Sequence, residues 1–228
     1  MYFDPLYFVF LIPPLLLAMW AQFRVKSAYG KYTKIPNQRG VTGLDAARII
    51  LPGEGLNEVG IQGTPGVLTD HYDPRNNKLH LSQGVATQPS IASLAVTVHE
   101  IGHALQDHHG YAPLKLRGAL VPAVQLSGWV APILFIVGLL IGLTGLAWLG
   151  ILLFGLGALF ALITLPVEFD ASKRGLKLLQ TYQLADGQEL QGAKSVLDAA
   201  ALTYVAALAQ TVATLLYYVM LVGRSDRD

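Results

Sequence analysis

The sequence predicts a membrane α-helical protein with about four transmembrane helices and a small α+β portion carried between the first and the second. Three observations support this. Of the 228 residues, 53% are hydrophobic and 14% charged, too apolar a balance for an ordinary soluble domain. The fifty residues 118–167 include no charged side chain, about twice the length that one spanning helix needs. Between residues 27 and 117, by contrast, charges, turn residues and short alternating runs dominate.

Residues 7–23 are uncharged and leucine-rich, with Pro13 and Pro14 inside the run. At ~1.5 Å per residue they approach the shortest helix that crosses the hydrocarbon layer. The run follows Asp4 and ends in Trp20-Ala21-Gln22-Phe23-Arg24. It lacks the basic start and small-residue cleavage site of a signal peptide, so it reads as an uncleaved anchor over 6–23. Thr42-Gly43-Leu44-Asp45 has the pattern of a capping box, opening a helix over 44–51 that Pro52 and Gly53 end. Residues 58–62 alternate like a strand. Two more strands are expected at 67–72 and 78–82, joined by the polar turn run Asp73-Pro74-Arg75-Asn76-Asn77. A small sheet therefore precedes a helix over 91–108, which Ser90 caps and which Gly110 and Pro113 stop.

The uncharged fifty divide into spans at 120–141 and 146–166, with a break near Gly142–Gly145. A polar stretch over 167–198 follows, then a fourth span at 199–222 and a short charge-balanced tail, 223–228. Residues 1–228 read as one integral-membrane domain whose polar part is 27–117 together with 167–198. Arg24, Lys26, Lys31, Lys34 and Arg39 follow the first span; Lys173, Arg174, Lys177 and Lys194 lie in the second polar stretch. The positive-inside rule puts both stretches on the cytoplasmic side of a cell membrane, with the termini outside.

A net charge of +1 gives no reason to expect nucleic acid. The absence of cysteine excludes disulfides and thiolate ligands, leaving His, Asp and Glu to hold any metal. Apart from Asp4, the spans carry no ionisable residue, which argues against a metal transporter.

Within the helix over 91–108 lies His99-Glu100-Ile101-Gly102-His103. Residues four apart share a helix face, so the two imidazoles can bind one zinc ion. Glu100 stands beside them, where a carboxylate can take a proton from a water on the metal. That combination is the arithmetic of a metal hydrolase. Gly102 costs a helix interior ~1 kcal/mol relative to Ala, which suggests close approach of another backbone, for example a substrate-binding edge strand.

A catalytic zinc needs a third protein ligand and an open position, and two candidates exist. His109 has the spacing of the pattern HExxHxxGxxH, but Gln106 stands where that pattern has its turn-forming Gly. If the helix continues, His109 lies ~9 Å further along the axis than His103 and on another face. His108 and His109 are then last-turn residues facing the helix dipole. Glu168 ends the third span, and the hairpin topology returns it to the side from which the motif helix departs. Asp170 is either an exposed acid or the partner of a ligand histidine's second ring nitrogen. His71 either polarises a substrate or pairs across the hairpin, the second being favoured.

The run His99-Glu100-Ile101-Gly102-His103-Ala104-Leu105-Gln106, with Asp70-His71-Tyr72-Asp73-Pro74 before it and Thr164-Leu165-Pro166-Val167-Glu168-Phe169-Asp170-Ala171-Ser172 after it, resembles the YugP-like family of membrane neutral zinc metallopeptidases. The likeness extends from the first span to the fourth. More distantly, the order of motif helix, membrane hairpin and glutamate is similar to the HtpX/Ste24-like membrane gluzincins. The resemblance implies zinc on His99, His103 and Glu168, Glu100 as base, a zincin-like cytoplasmic portion and a peptide or protein substrate, with the lipid bilayer as surroundings. An extended peptide could pair with the strand near 78–82. The rival reading is a non-catalytic zinc-binding scaffold or adaptor, which has no need of Glu100.

Overall fold

The computed structural model describes residues 5–225; Asp4 and the end of the predicted tail, 226–228, lie outside them. In chain order the elements are α1 (Pro5–Tyr32), α2 (Gly43–Gly53), β1 (Gly60–Thr64), β2 (His71–Asp73), β3 (Lys78–Ser82), α3 (Gln83–Thr87), α4 (Ile91–His108), α5 (Ala112–Leu140), α6 (Thr144–Thr181) and α7 (Gly187–Ser225). Among the described residues, four helices are long and apolar enough to cross a membrane: α1, α5, α6 and α7. Each outruns the apolar stretch that predicts it. Hydropathy marks where a helix is greasy, whereas backbone hydrogen bonding stops only at a cap or a breaker. Pro166 does not stop α6, which passes through it to Thr181 at the cost of one backbone bond. The break between α5 and α6 falls at Gly142, whose φ of 70° suits a residue without Cβ.

The chain divides into two compact units. The first draws on the stretch ending at Ala21, on Leu116–Leu165 and on the stretch from Leu202. Its interior is slight: Phe135, Ala147, Ile151 and Val222 are buried, and the Tyr218 ring packs 4.2 Å from Phe135. Most of its apolar surface faces outward, with Trp129 and Leu140 each 79% exposed. Helices apolar all round, with so little of that surface covered, require a lipid environment rather than water.

The second unit comprises Gln22–Lys115 and Pro166–Ala201. Its core is conventional, built on Ile50, Leu79, Leu81, Val85, Leu94, Val98, Ile101 and Leu179, all fully or almost fully buried. α2 begins with the expected capping box: Thr42 Oγ1 accepts from the Asp45 N–H at 3.1 Å, and Asp45 Oδ2 accepts from the Thr42 N–H at 3.2 Å. α4 begins at Ser90, whose Oγ accepts from the Ser93 N–H.

The sheet has three strands in the order β1-β3-β2. β3 is parallel to β1, with Gly60 opposite Lys78, and antiparallel to β2, with His71 opposite His80. Three details differ from the expectations. The strand expected at 67–72 is reduced to His71–Asp73, because Gly66 and Leu68 both have positive φ and turn the chain before it. Asp70 then ties this turn to the end of β3 by accepting from the Ser82 N–H at 2.6 Å and the Ser82 hydroxyl at 3.0 Å. The first strand lies two residues later than the alternation suggested, and α3 was not anticipated. Both edges of β3 are occupied, so it cannot pair with an extended peptide; the outer strands of the sheet are β1 and β2.

The backbone that approaches Gly102 is that of α6, not a substrate strand. A Cβ at Gly102 would collide with the Ala171 carbonyl oxygen, and one at Gly175 would lie 2.7 Å from the Val98 carbonyl oxygen. Two glycines thus let α4 and α6 touch backbone to backbone. No flexible side chain is available to give way. Gly102→Ala is expected to destabilise the protein by about 1–3 kcal/mol through overpacking, read as a lower unfolding temperature in detergent. Gly63→Ala, where an added methyl meets nothing, serves as the control; equal melting of both variants would refute the contact.

Candidate metal centre

α4 carries His99 and His103 on one face, as the four-residue spacing requires. α6 carries Glu168, which is 2% exposed. Glu168 Oε2 lies 3.3 Å from His99 Nε2 and 3.6 Å from His103 Nε2. Among the described residues, these three form a group that could hold a metal ion, their ligand atoms all within 4.8 Å of one another. The two imidazoles stand nearly perpendicular, at 84°, so both Nε2 atoms can face one point without the rings colliding.

The outer ring nitrogens are also engaged. His99 Nδ1 lies 3.1 Å from Ser172 Oγ. His103 Nδ1 lies 3.0 Å from Gln106 Oε1. The Gln106 amide nitrogen donates to the Val167 carbonyl at 2.8 Å and to Asp170 Oδ2 at 2.9 Å. With the nitrogen end of the amide committed to two acceptors, Oε1 must accept, and His103 Nδ1 must donate. A neutral His103 then points the Nε2 lone pair at the Glu168 carboxylate. Two acceptors then face each other there, and either a proton on Nε2 or a metal ion between them reconciles the pair. Burial disfavours the His103 imidazolium, yet Glu168 and Glu100 outweigh it and hold the ring's pKa above the ordinary histidine value. The site draws positive charge to its centre, and two imidazoles with one carboxylate fit zinc.

Glu100 is buried beside this group. Its Oε2 accepts from the Tyr72 N–H at 3.0 Å. Burial pushes its carboxyl above the usual carboxylate range; His99 and His103 oppose that shift and Glu168 adds to it. Tyr72 grips α4 a second time, its hydroxyl lying 3.0 Å from Asp107 Oδ2 and from Asn77 Oδ1. Burial, followed by this bond to Asp107, raises the phenol's pKa.

The structure keeps the other sequence candidates out of the group. His109 is the C-cap of α4, and its Nδ1 lies 3.4 Å from Arg174 Nη1. Asp170 meets no histidine; it accepts from Gln106 and from Arg174 Nε, one step removed from the position expected for it. His71 stacks on His80 across the β2–β3 pair, with centroids 4.4 Å apart, which is the cross-hairpin pairing favoured from the sequence. Sequence reasoning missed Ser172, Gln106 and the Tyr72 N–H. Helical spacing held a signal for two of them: Gln106 follows His103 by three residues and Ser172 follows Glu168 by four.

Fold and site together define a protein of membrane helices with a His-His-Glu donor group whose carboxylate is buried. The family model described as "Putative neutral zinc metallopeptidase" matches residues 7–223. The chain belongs to this family, whose metal is zinc. It is 45% identical over 215 residues to the "Putative membrane protease YugP" of Bacillus subtilis (strain 168), an alignment covering 94% of this chain and 96% of that protein. No solved structure matches the chain.

The group makes a clean comparison of the two third-ligand candidates. If Glu168 is the third ligand, Glu168→Ala weakens zinc binding on the order of a hundredfold or more. His109→Ala is expected to leave it within about twofold, because at most an outer contact is lost. Competition with a chromophoric chelator, on the solubilised full chain, reads both. The reverse ranking would assign the ligand to His109.

Proposed function

We propose that this chain is a zinc-dependent membrane endopeptidase, with zinc held by His99, His103 and Glu168 and with Glu100 as general base. The observation that carries the reading is the convergence of two imidazole Nε2 atoms and a buried carboxylate on one point, beside a second buried carboxylate outside the group. When bound there, zinc supplies Lewis-acid chemistry, acidifying water and polarising a carbonyl. Glu100 takes the proton of the attacking water and delivers it to the departing amine. The Tyr72 N–H occupies Oε2 of Glu100, which leaves Oε1 to receive that proton. Burial raises the proton affinity of Glu100, and this suits a group that must hold a proton until the amine leaves.

The scaffold reading is disfavoured by the cost of Glu100. A carboxylate buried in this way is expensive to maintain, and a site without turnover has no use for it. Residues 1–228 act, in this proposal, as one membrane metallopeptidase domain, with 27–117 and 167–198 forming a zincin-like catalytic part on the cytoplasmic side. Of the 16 Lys and Arg residues, 14 lie within 24–117 and 167–198, and this bias supports that orientation. The relative's name, a membrane protease, supports peptide or protein substrates at the bilayer.

Two outcomes follow. Glu100→Gln is expected to keep zinc and to lose about 10²–10⁴-fold in turnover, the usual worth of a general base. A comparison of newly formed protein termini in cells carrying the parent or the variant reads this, and equal cleavage would remove Glu100 from the reaction. Stripping the metal with a chelator should abolish cleavage, and stoichiometric zinc should restore it; activity that survives complete zinc removal would end the metallopeptidase reading.

A further inference from the structure

Gln106 is fully buried in the last turn of α4 and uses every pole of its amide. Oε1 accepts from His103 Nδ1. Nε2 donates once to Val167, the residue before Glu168, and once to Asp170. Asp170 is in turn held by Arg174, one turn further along α6, and the Arg174 guanidinium lies over the Tyr111 ring at 5.7 Å. An ionised carboxylate can only accept. Asp170 therefore dictates which end of the Gln106 amide faces it, and so which end faces the histidine.

We infer that Gln106, locked by Asp170 and Arg174, is a positioning residue for the zinc site: it fixes the tautomer of His103 and sets the spacing between the helices that carry the ligands. The inference rests on reading His99, His103 and Glu168 as that site. With Nδ1–H held by Oε1, His103 offers Nε2 as a lone pair, the form a metal requires. The bond to the Val167 carbonyl anchors α6 beside the Glu168 backbone, so one side chain on α4 governs both the second and the third ligand. An amide does this without adding a third buried carboxylate to Glu100 and Glu168. It differs from the more usual carboxylate partner in having a fixed donor end and a fixed acceptor end. That polarity is the testable property.

Gln106→Glu keeps the shape but turns the donor end into an acceptor facing Asp170 and Val167. Gln106→Met keeps the bulk and removes both ends. Each is expected to lower zinc affinity by about 10–100-fold, the usual worth of a ligand histidine's outer partner. The double variant Gln106→Glu with Asp170→Asn returns a donor to the 106–170 pair, now from the Asn side. An oxygen of the carboxylate introduced at position 106 still accepts from His103, but that carboxylate still faces the Val167 carbonyl and Arg174 loses its ion pair. It is expected to bind zinc several-fold more tightly than Gln106→Glu and still more weakly than the parent. The cobalt-substituted proteins give a second signature: visible ligand-field bands altered in both single variants and shifted part of the way back in the double. All are measured on the solubilised full chain by chelator competition and absorption.

A single variant that folds and binds zinc like the parent, with unchanged cobalt bands, overturns the inference. So does a folded double variant that binds no better than Gln106→Glu. If Gln106→Glu does not fold alone, Gln106→Met decides: weaker zinc binding with altered cobalt bands supports the inference, and parental binding with parental bands overturns it. A parent chain that binds no zinc takes the underlying site reading down as well, whereas tight parental binding unaffected by position 106 removes only this inference.

Discussion

The arrangement depends on one close contact, the backbone-to-backbone approach of α4 and α6. On α4 the contact runs through Val98 and Gly102, each immediately before a histidine of the donor group. On α6 it runs through Ala171 and Gly175, three and seven residues after Glu168 and on the same helix face. Any change in that spacing is passed directly to the distance between the imidazoles and the carboxylate. A helix pair separated by ordinary side chains sits about 8–10 Å apart axis to axis. Glycine at both crossings is what lets a short glutamate side chain reach across. The same packing explains why Gly102, unfavourable in a helix interior by ~1 kcal/mol, is accommodated in the middle of the motif.

Charge is the second constraint. Glu100 and Glu168 are both buried, and two neutral imidazoles cannot offset them. Burying carboxylates without a counter-charge is costly, so the site is most stable with a cation at its centre. The protein supplies little positive charge of its own nearby. Arg174 is committed to Asp170 and partly exposed, and Lys173 lies on the exposed side of α6. Against the effect of burial, Glu168 and Glu100 raise the proton affinity of His103, and in the proposed function zinc supplies the positive charge that offsets these carboxylates.

Much of this was legible in the sequence, for identifiable reasons. The paired histidines and the adjoining Glu100 lie within five residues, where helical periodicity alone fixes their relation. The four membrane-length helices follow from hydropathy, which is a sum over many residues and tolerates local error. The third member of the donor group was harder. His109 is near in sequence and Glu168 far, and the choice depends on how α6 packs on α4, which no local pattern encodes. Strand positions failed where backbone conformation overrode alternation: Val67 and Leu68 look like strand residues, but Leu68 adopts a φ of 57° and the strand begins only at His71. Gln106 first registered as a departure from another motif. Its partners Val167 and Asp170 lie about sixty positions away, so its role could be seen only once the two helices were packed.

The small sheet makes sense in the same terms. β3 is fully paired, and its burial anchors the sheet to the core. That leaves β2 as an edge, short and turned in by Asp70. Its Tyr72 meets α4 twice, through the N–H at Glu100 and through the hydroxyl at Asp107, two points about 10 Å apart along the helix axis. Two attachments so spaced fix the strand in both position and tilt, which a single bond could not do. Glu100 is therefore oriented from outside its own helix, as His103 is by the α6-anchored amide of Gln106. A carboxylate held at one oxygen by a backbone N–H keeps a defined rotamer while its second oxygen stays open. In the proposed reaction that second oxygen is where a proton must arrive and leave, so the sheet's contribution is to hold Glu100 still without occupying the atom that works.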